Sequence, residues 1–301
     1  MNLPAEFIAN INNSFGERGR RYLETLPDLL AEASRRWDLT LGKPFLLSYN
    51  YVCAAKRADG TPAVLKVGVP NNELTSEINT LRLYAGKGAC HLYESDPEIG
   101  MLLLERLHPG SMLTTLADDD EATRIAADLL IITQRPAPAE DGFLSLRGWF
   151  DELKELRPAF GGGTGPFPEK IVTMVEDLLP GLFAEARSSV LLHGDFHHFN
   201  ILLSERGWLV IDPKGVVGAP EYEVGPFLVN PMGASISERQ AIQRTRRRIA
   251  ILAERTGLDP QCMHAWAICF SLLSAWWDTQ ENGAGGEYSL AWTRIFSKTR
   301  V

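Results

Sequence analysis

The sequence predicts an α+β protein in two lobes, a small lobe built on an antiparallel sheet with one helix and a larger, mostly helical lobe. Three observations carry this expectation. Short apolar runs crowd the stretch 44–69 and return at 89–105, helical spacing dominates from 119 onward, and one compact β-rich insert, Val190–Ile211, interrupts the helices. The character changes at Pro109-Gly110, which sets the lobes at 1–107 and 108–301.

Residues 17–36 carry Leu23, Leu26, Leu29, Leu30 and Ala33 at helical spacing, an amphipathic helix interrupted near Pro27. Next come two strands, PFLLSYN (44–50) and YVCAAKR (51–57). The turn Asp59-Gly60-Thr61-Pro62 then leads into a third, AVLKVGV (63–69), because Asp-Gly between apolar runs is a hairpin signal. A helix over 72–85 presents Leu74, Ile78, Leu81 and Leu83. A strand over 89–93 and a buried strand, Met101–Glu105, complete the small lobe. Beyond the boundary, helices are expected at 119–134, 146–157, 168–186, 237–256 and 260–280, with Gly161–Pro166 as a flexible loop. There is no internal repeat.

Composition excludes several classes. Hydrophobic residues at 45% and charged residues at 23% exclude wholesale disorder. Lys and Arg number 30 against 38 Asp and Glu, a net charge of −8, which argues against nucleic acid and favours a cationic small molecule as partner. Arg244, Arg246, Arg247 and Arg248 read as a solvated helix face. The four cysteines form no CxxC and read as buried thiols. The first residues lack a basic segment followed by an apolar one, and no apolar run is long enough to span a bilayer, so no membrane role and a cytoplasmic location are expected.

The chemistry concentrates in His193-Gly194-Asp195-Phe196-His197-His198-Phe199-Asn200 and in Ile211-Asp212-Pro213. A loop after an apolar strand offers Asp195, with Asn200 five residues later. A short hairpin through Ser204–Gly207 returns Asp212 beside Asn200. An amide oxygen and a carboxylate converging this way are hard ligands suited to Mg²⁺, and Asp195 can accept the proton of a hydroxyl nucleophile. This is the H-x-D-x-x-x-x-N and metal-Asp arrangement of phosphoryl transfer. A zinc site at His193, His197 and His198 lacks a fourth ligand. His193 reads instead as a brace for the loop.

The small lobe supplies the rest. Lys66, central in Ala63-Val64-Leu65-Lys66-Val67, is a cation for the α- and β-phosphates and needs a carboxylate partner in so apolar a run. Glu77, eleven residues on, is that partner, and Glu73 is its rival one turn earlier. Backbone groups near Glu105 and Leu107 are placed to read a nucleotide base, and Ser48 and Asn50 to cover its phosphates, since no glycine-rich phosphate loop is present. Lys214 suits either a phosphate oxygen or the surface. Glu221 and Glu223, with Trp277, Asp278 and Glu281, fit a pocket for a cationic ring; the bland alternatives are surface acids and core packing of Trp276 and Trp277.

Gly194 in place of Arg, and Asp-Pro in place of Asp-Phe-Gly, set the chain apart from protein kinases. H-G-D-x-x-x-x-N with I-D-x resembles the aminoglycoside phosphotransferase family and its choline and homoserine kinase relatives. Met101–Gly110, His193–Asn200, Ile211–Gly215 and Gly218–Glu223 are similar to the streptomycin 6-phosphotransferase and hydroxyurea phosphotransferase branch over about 40–300. The resemblance implies a bilobal, protein-kinase-like fold and transfer of phosphate from ATP (or GTP), with Mg²⁺, to a small-molecule hydroxyl. A streptomycin-like aminoglycoside is the favoured acceptor. Hydroxyurea, choline, homoserine or a sugar is the alternative, and a kinase-like binding module without turnover is the reading of another class.

Overall fold

In a computed structural model, which describes residues 2–185, 189–232, 236–283 and 286–301 without the side chains of Glu185, Glu281 and Asn282, the chain opens with a long helix, α1 (Ala5–Arg36). This helix starts earlier than its periodicity suggests, and its break lies at Gly16 (φ 55°, ψ −126°) rather than at Pro27. Glycine alone adopts that conformation cheaply. Pro27 gives up one backbone hydrogen bond, but Tyr22, Leu26 and Ala33 on the buried face hold the turns around it in line.

Five strands follow, β1 (Leu39–Pro44), β2 (Tyr51–Arg57), β3 (Pro62–Val67), β4 (Leu92–Asp96) and β5 (Met101–Glu105), with α2 (Asn72–Tyr84) between β3 and β4. They form one antiparallel sheet in the order β1-β2-β3-β5-β4. The first strand is 39–44, not 44–50. Residues 45–50 are the connection to β2 at the cleft rim, where Leu46 is 98% exposed, so their apolar character does not mark a strand. The fourth strand begins at Leu92 because Gly88, Ala89 and Cys90 pair instead with Val210 of the large lobe.

β5 explains its own composition. Met101 and Leu103 point into a core formed with α1, whereas Leu102 and Leu104 point into the larger core, which also takes up Leu74, Ile78, Leu81 and Tyr84 of α2. A strand buried on both faces reads as an unbroken apolar run. On β3 the same alternation sends Ala63, Leu65 and Val67 toward α1 and puts Lys66 on the opposite face.

The large lobe contains β6 (Pro109–Met112), α3 (Asp119–Thr133), β7 (Arg135–Pro136), β8 (Leu144–Ser145), α4 (Leu146–Asp151), α5 (Leu156–Ala159), α6 (Glu169–Glu185), β9 (Val190–Leu192), β10 (Ile201–Ser204), β11 (Gly207–Val210), β12 (Val216–Gly218), α7 (Val224–Val229), α8 (Glu238–Thr256), α9 (Pro260–Asn282) and α10 (Glu287–Lys298). The expected helix at 146–157 is instead α4, a 3₁₀ turn and α5, and α7 and α10 have no counterpart in the reading above. Two small sheets, β11-β10-β6 and β7-β9-β12-β8, carry the loops that matter. The arginine cluster is not a solvated face. Arg244 and Arg248 lie one turn apart on the inner side of α8. Arg248 is fully buried, ion-paired with Asp119 at 2.5 Å and donating to Phe227 O (3.0 Å) and Asn230 O (2.5 Å). Arg244 packs over the Trp292 ring, and only Arg246 and Arg247 face solvent.

Candidate active site

Lys66 leaves the cleft face of β3 beneath α2, and its Nζ donates to Glu77 Oε1 at 2.8 Å and Oε2 at 2.7 Å and to Asp212 Oδ1. Lys66 and Glu77 are each 5% exposed. Burial opposes the ammonium charge, but Asp212 and Glu77 outweigh it and raise the Lys66 pKa above the usual lysine range. Burial pushes the Glu77 carboxyl up to about 7, against the pull of Lys66. Glu73, the rival partner, pairs with Lys214 Nζ instead.

The loop after β9 is held from several sides. Gly194 has φ +85°, and a Cβ there would sit 2.6 Å from Val216 and 3.2 Å from Trp149. The His193 ring accepts from Asp195 N–H through Nδ1 (3.2 Å), so Nε2 donates to Ile211 O (2.9 Å). Burial lowers its pKa to about 4, consistent with a neutral brace. Asn200 Nδ2 donates to Asp195 O (3.0 Å) and Oδ2 (3.2 Å), while His197 Nε2 lies 3.3 Å from Oδ1. Burial would raise the Asp195 pKa, but His197 and Lys214 hold it down to about 2. About a third of the Asp195 side chain, 34%, stays exposed.

The β10–β11 hairpin pairs Ile201 with Val210, and Ile211 N–H donates to Asn200 O at 2.9 Å, so Asp212 stands beside Asn200. Asp212 adopts φ +60°, an uncommon conformation for a residue with a side chain. Burial would raise its pKa, but Lys66 and Lys214 keep it well below the carboxylate range. The chain then turns back under α2. Lys214 N–H donates to His193 O (2.6 Å), and Ser76 Oγ donates to Gly215 O (2.6 Å).

A cavity of about 540 Å³ runs between the lobes past Val64, Leu104, Leu107, Asn200 and Asp212. A second, of about 330 Å³, adjoins it at Ser48, Asn50, Lys66 and Asp212 and is also lined by Lys214. Residues 41–283 match the model of the aminoglycoside/hydroxyurea antibiotic resistance kinases. The chain belongs to that family. It is 32% identical over 289 residues to streptomycin 6-kinase of Streptomyces glaucescens, covering 94% of this chain and 92% of that one. It is 33% identical over 291 residues to hydroxyurea phosphotransferase of Kitasatospora aureofaciens, covering 93% and 81%. Its fold matches choline kinase LicA of Streptococcus pneumoniae with a TM-score of 0.64 at 15% identity, over 91% of this chain and 98% of that one. The α+β, bilobal, kinase-like fold expected from the sequence is the fold observed.

Within this antibiotic resistance kinase, several sequence-derived candidates sit elsewhere than expected. Glu223 does not line the acceptor side. It is 4% exposed beneath the His193–Asn200 loop, accepting from His193 N–H (2.5 Å) and Gly194 N–H (2.8 Å), two amides that the end of β9 leaves without strand partners. Burial pushes its carboxyl up to about 7. Glu221, half-buried in the 3₁₀ turn Pro220–Glu223, and Asp278, half-buried on α9, line neither of the two cavities, as Asp195 does not, and the Glu281 side chain lies outside the described residues. Glu105 spends its N–H on His91 O (2.8 Å) and its carboxylate on Arg206 (3.2 Å), so its carbonyl is the backbone group it has left to offer a base, and Leu107 lines the same cavity. Trp276 is core, packed on Phe160 and Phe167. Trp277 stacks edge-on against Trp149 at 5.4 Å and donates to Glu152 (2.7 Å). Trp149, which abuts Gly194, and His197, which faces Asp195, are the neighbours of the loop that sequence reasoning missed. His197 lies within the motif itself, whereas nothing in the sequence singles out Trp149.

Proposed function

We propose that this kinase transfers the γ-phosphoryl group of ATP to a hydroxyl of a streptomycin-like aminocyclitol. The observation that carries the reading is the assembly of Lys66–Glu77, Asn200 and Asp212 along one interlobe cleft, with Asp195 hydrogen-bonded to Asn200 beside it. Lys66, oriented by Glu77, grips the α- and β-phosphates. The Leu107 backbone meets the base, and Ser48 and Asn50 cover the phosphates from the β1–β2 connection. Asp195 orients the acceptor hydroxyl and takes its proton, and catalysis rests on positioning and electrostatics.

The donor set suits Mg²⁺. Asp212 is held ionised, Asn200 adds an amide oxygen, and among the described residues no cluster of three or more His, Cys, Asp or Glu offers an all-protein cage. When bound, such an ion would neutralise phosphate charge, and Asn200 and Asp212 are the residues that would hold it.

The net charge of −8 and the streptomycin kinase relatives support a cationic acceptor. Use of ATP supports a cytoplasmic setting; among the described residues no helix is long and apolar enough to cross a membrane. Hydroxyurea is the second reading, supported by a relative 33% identical. Phosphate transfer from ATP to each compound, assayed at low and high ionic strength, separates the two. Streptomycin should be phosphorylated with a KM that rises with salt. Turnover of hydroxyurea, but of no cationic aminocyclitol, would leave the kinase and remove the aminoglycoside.

A further inference from the structure

Lys214 is the second cation of the cleft, and no role assigned above uses it. Its backbone is fixed to the catalytic loop, since its N–H donates to His193 O at 2.6 Å. The glycine at 194 makes room for it: a Cβ there would lie 3.1 Å from Lys214 Cβ. From this root the side chain enters the cavity of about 330 Å³ that it shares with Lys66, Asp212, Ser48 and Asn50. Asp212 precedes it by two residues, and Asp195 follows the glycine against which it packs. Lys66 thus stands at the small-lobe wall of this space, and Lys214 stands at the wall that carries the proton acceptor.

Its partner is easily given up. Lys214 Nζ rests on Glu73 Oε1, the two side chains 30% and 50% exposed, and an ion pair open to water on the glutamate side is weaker than a buried one. A cation that leaves such a partner for phosphate oxygens in a narrow cleft gains more than it loses, because charge developing in transfer is stabilised most where water is excluded.

We propose that Lys214 is a catalytic residue, its ammonium leaving Glu73 to bind the γ-phosphoryl oxygens of the bound triphosphate and remaining on them through transfer. The inference rests on the phosphotransferase reading. The acceptor oxygen forms its bond to the γ-phosphorus as the bond from phosphorus to the β,γ-bridging oxygen breaks. The hydroxyl proton passes to Asp195, and ADP leaves. Lys214 exchanges no atom and neutralises the oxygens of the group in flight.

The rival account is that Lys214 and Glu73 only tie the lobes together. Two variants separate the accounts, because both remove the ion pair and only one removes the cation. Lys214→Met should lower kcat by about 10²–10³. It should weaken AMP-PNP by about tenfold, the worth of one charge-assisted hydrogen bond, and leave ADP unchanged. Glu73→Gln should hold kcat within about threefold, and Lys214→Arg should recover part of what Lys214→Met loses. Equal losses in Lys214→Met and Glu73→Gln would reduce Lys214 to a tie, and equal weakening of ADP and AMP-PNP would move it off the γ-phosphoryl group. The nucleotide measurements need no acceptor. A wild-type protein that phosphorylates nothing in the panel, yet prefers AMP-PNP through Lys214, would overturn the acceptor and keep this inference. Normal turnover in Lys214→Met would do the reverse.

Discussion

Asp195 has a donor at each carboxylate oxygen, Asn200 on Oδ2 and His197 on Oδ1, which fixes the direction of its free lone pairs. Asp195→Asn should leave Mg-ATP affinity within a few-fold and cut turnover by about 10²–10⁴, as rapid-quench kinetics would show; near wild-type kcat would remove Asp195 from the reaction. Lys66→Ala should raise KM for ATP and lower kcat, and Glu77→Gln should do the same more mildly. A double-mutant cycle should return a clear coupling between them, since they share two hydrogen bonds. Glu223 gives a stability prediction. Its carboxyl titrates near 7 in the fold against 4.5 for the free group, so between those values the unfolded chain ionises while the folded one keeps its proton. The Glu223 contribution to stability therefore falls as pH rises through that window, by at most about 1.4 kcal/mol per pH unit. Urea unfolding of the wild type and of Glu223→Gln across the same range should differ by that slope, because Glu77, with the same sign, and His193 and His198, with the opposite sign, titrate in both. The juxtaposition of Lys66, Glu77, Asp195, Asn200 and Asp212 is legible in the sequence, because each lies at a fixed count from an apolar strand or on the adjoining helix. Glu223 is not legible as a brace, because its spacing records only that it follows Asp212, and burial under a loop is a tertiary fact.

At the next scale, the strand at Met101–Glu105 and the hairpin at Asp59-Gly60 are readable because each follows from local chemistry. The connection 45–50 misleads because Phe45 and Leu46 are apolar for the sake of the cleft rim, not of a sheet. The break in α1 is equally hidden, because a glycine within a helix looks like a weak helix former until its dihedrals are known. Gly16→Ala should cost about 1–3 kcal/mol in thermal or urea unfolding, since a β-carbon is strained at that φ and ψ; no loss would mean that the helix runs straight. Gly215 is more confined. With φ +69°, a Cβ there would lie 2.1 Å from Thr80 Oγ1 and 2.4 Å from Ser76 Oγ. Gly215→Ala should push α2 off the segment that carries Asp212, separating Glu77 and Lys66 from it. The expected outcome is loss of nucleotide affinity beyond what the fall in stability explains, checked by calorimetry at a temperature where the variant remains folded.

Across the whole molecule, the lobes are distinct in sequence but joined in packing. One face of β5 and the buried side of α2 belong to the core of the large lobe, so the small sheet is anchored through its central strands rather than through its edge. Charge adds three ties across the cleft, Lys66 to Asp212, Lys214 to Glu73 and Arg206 to Glu105. The first two span the space that the proposed function gives to the phosphates, and this bears on how fast a nucleotide gets in. Its arrival must wait for carboxylates to release their lysines, and an anion approaching a chain of net charge −8 is repelled on the way. Both obstacles are electrostatic, and both shrink as ions accumulate. Stopped-flow association of a fluorescent ATP analogue should accordingly quicken with added salt, the opposite of what an attractive, steered encounter shows. Glu73→Gln, already released at one tie, should start faster and respond less.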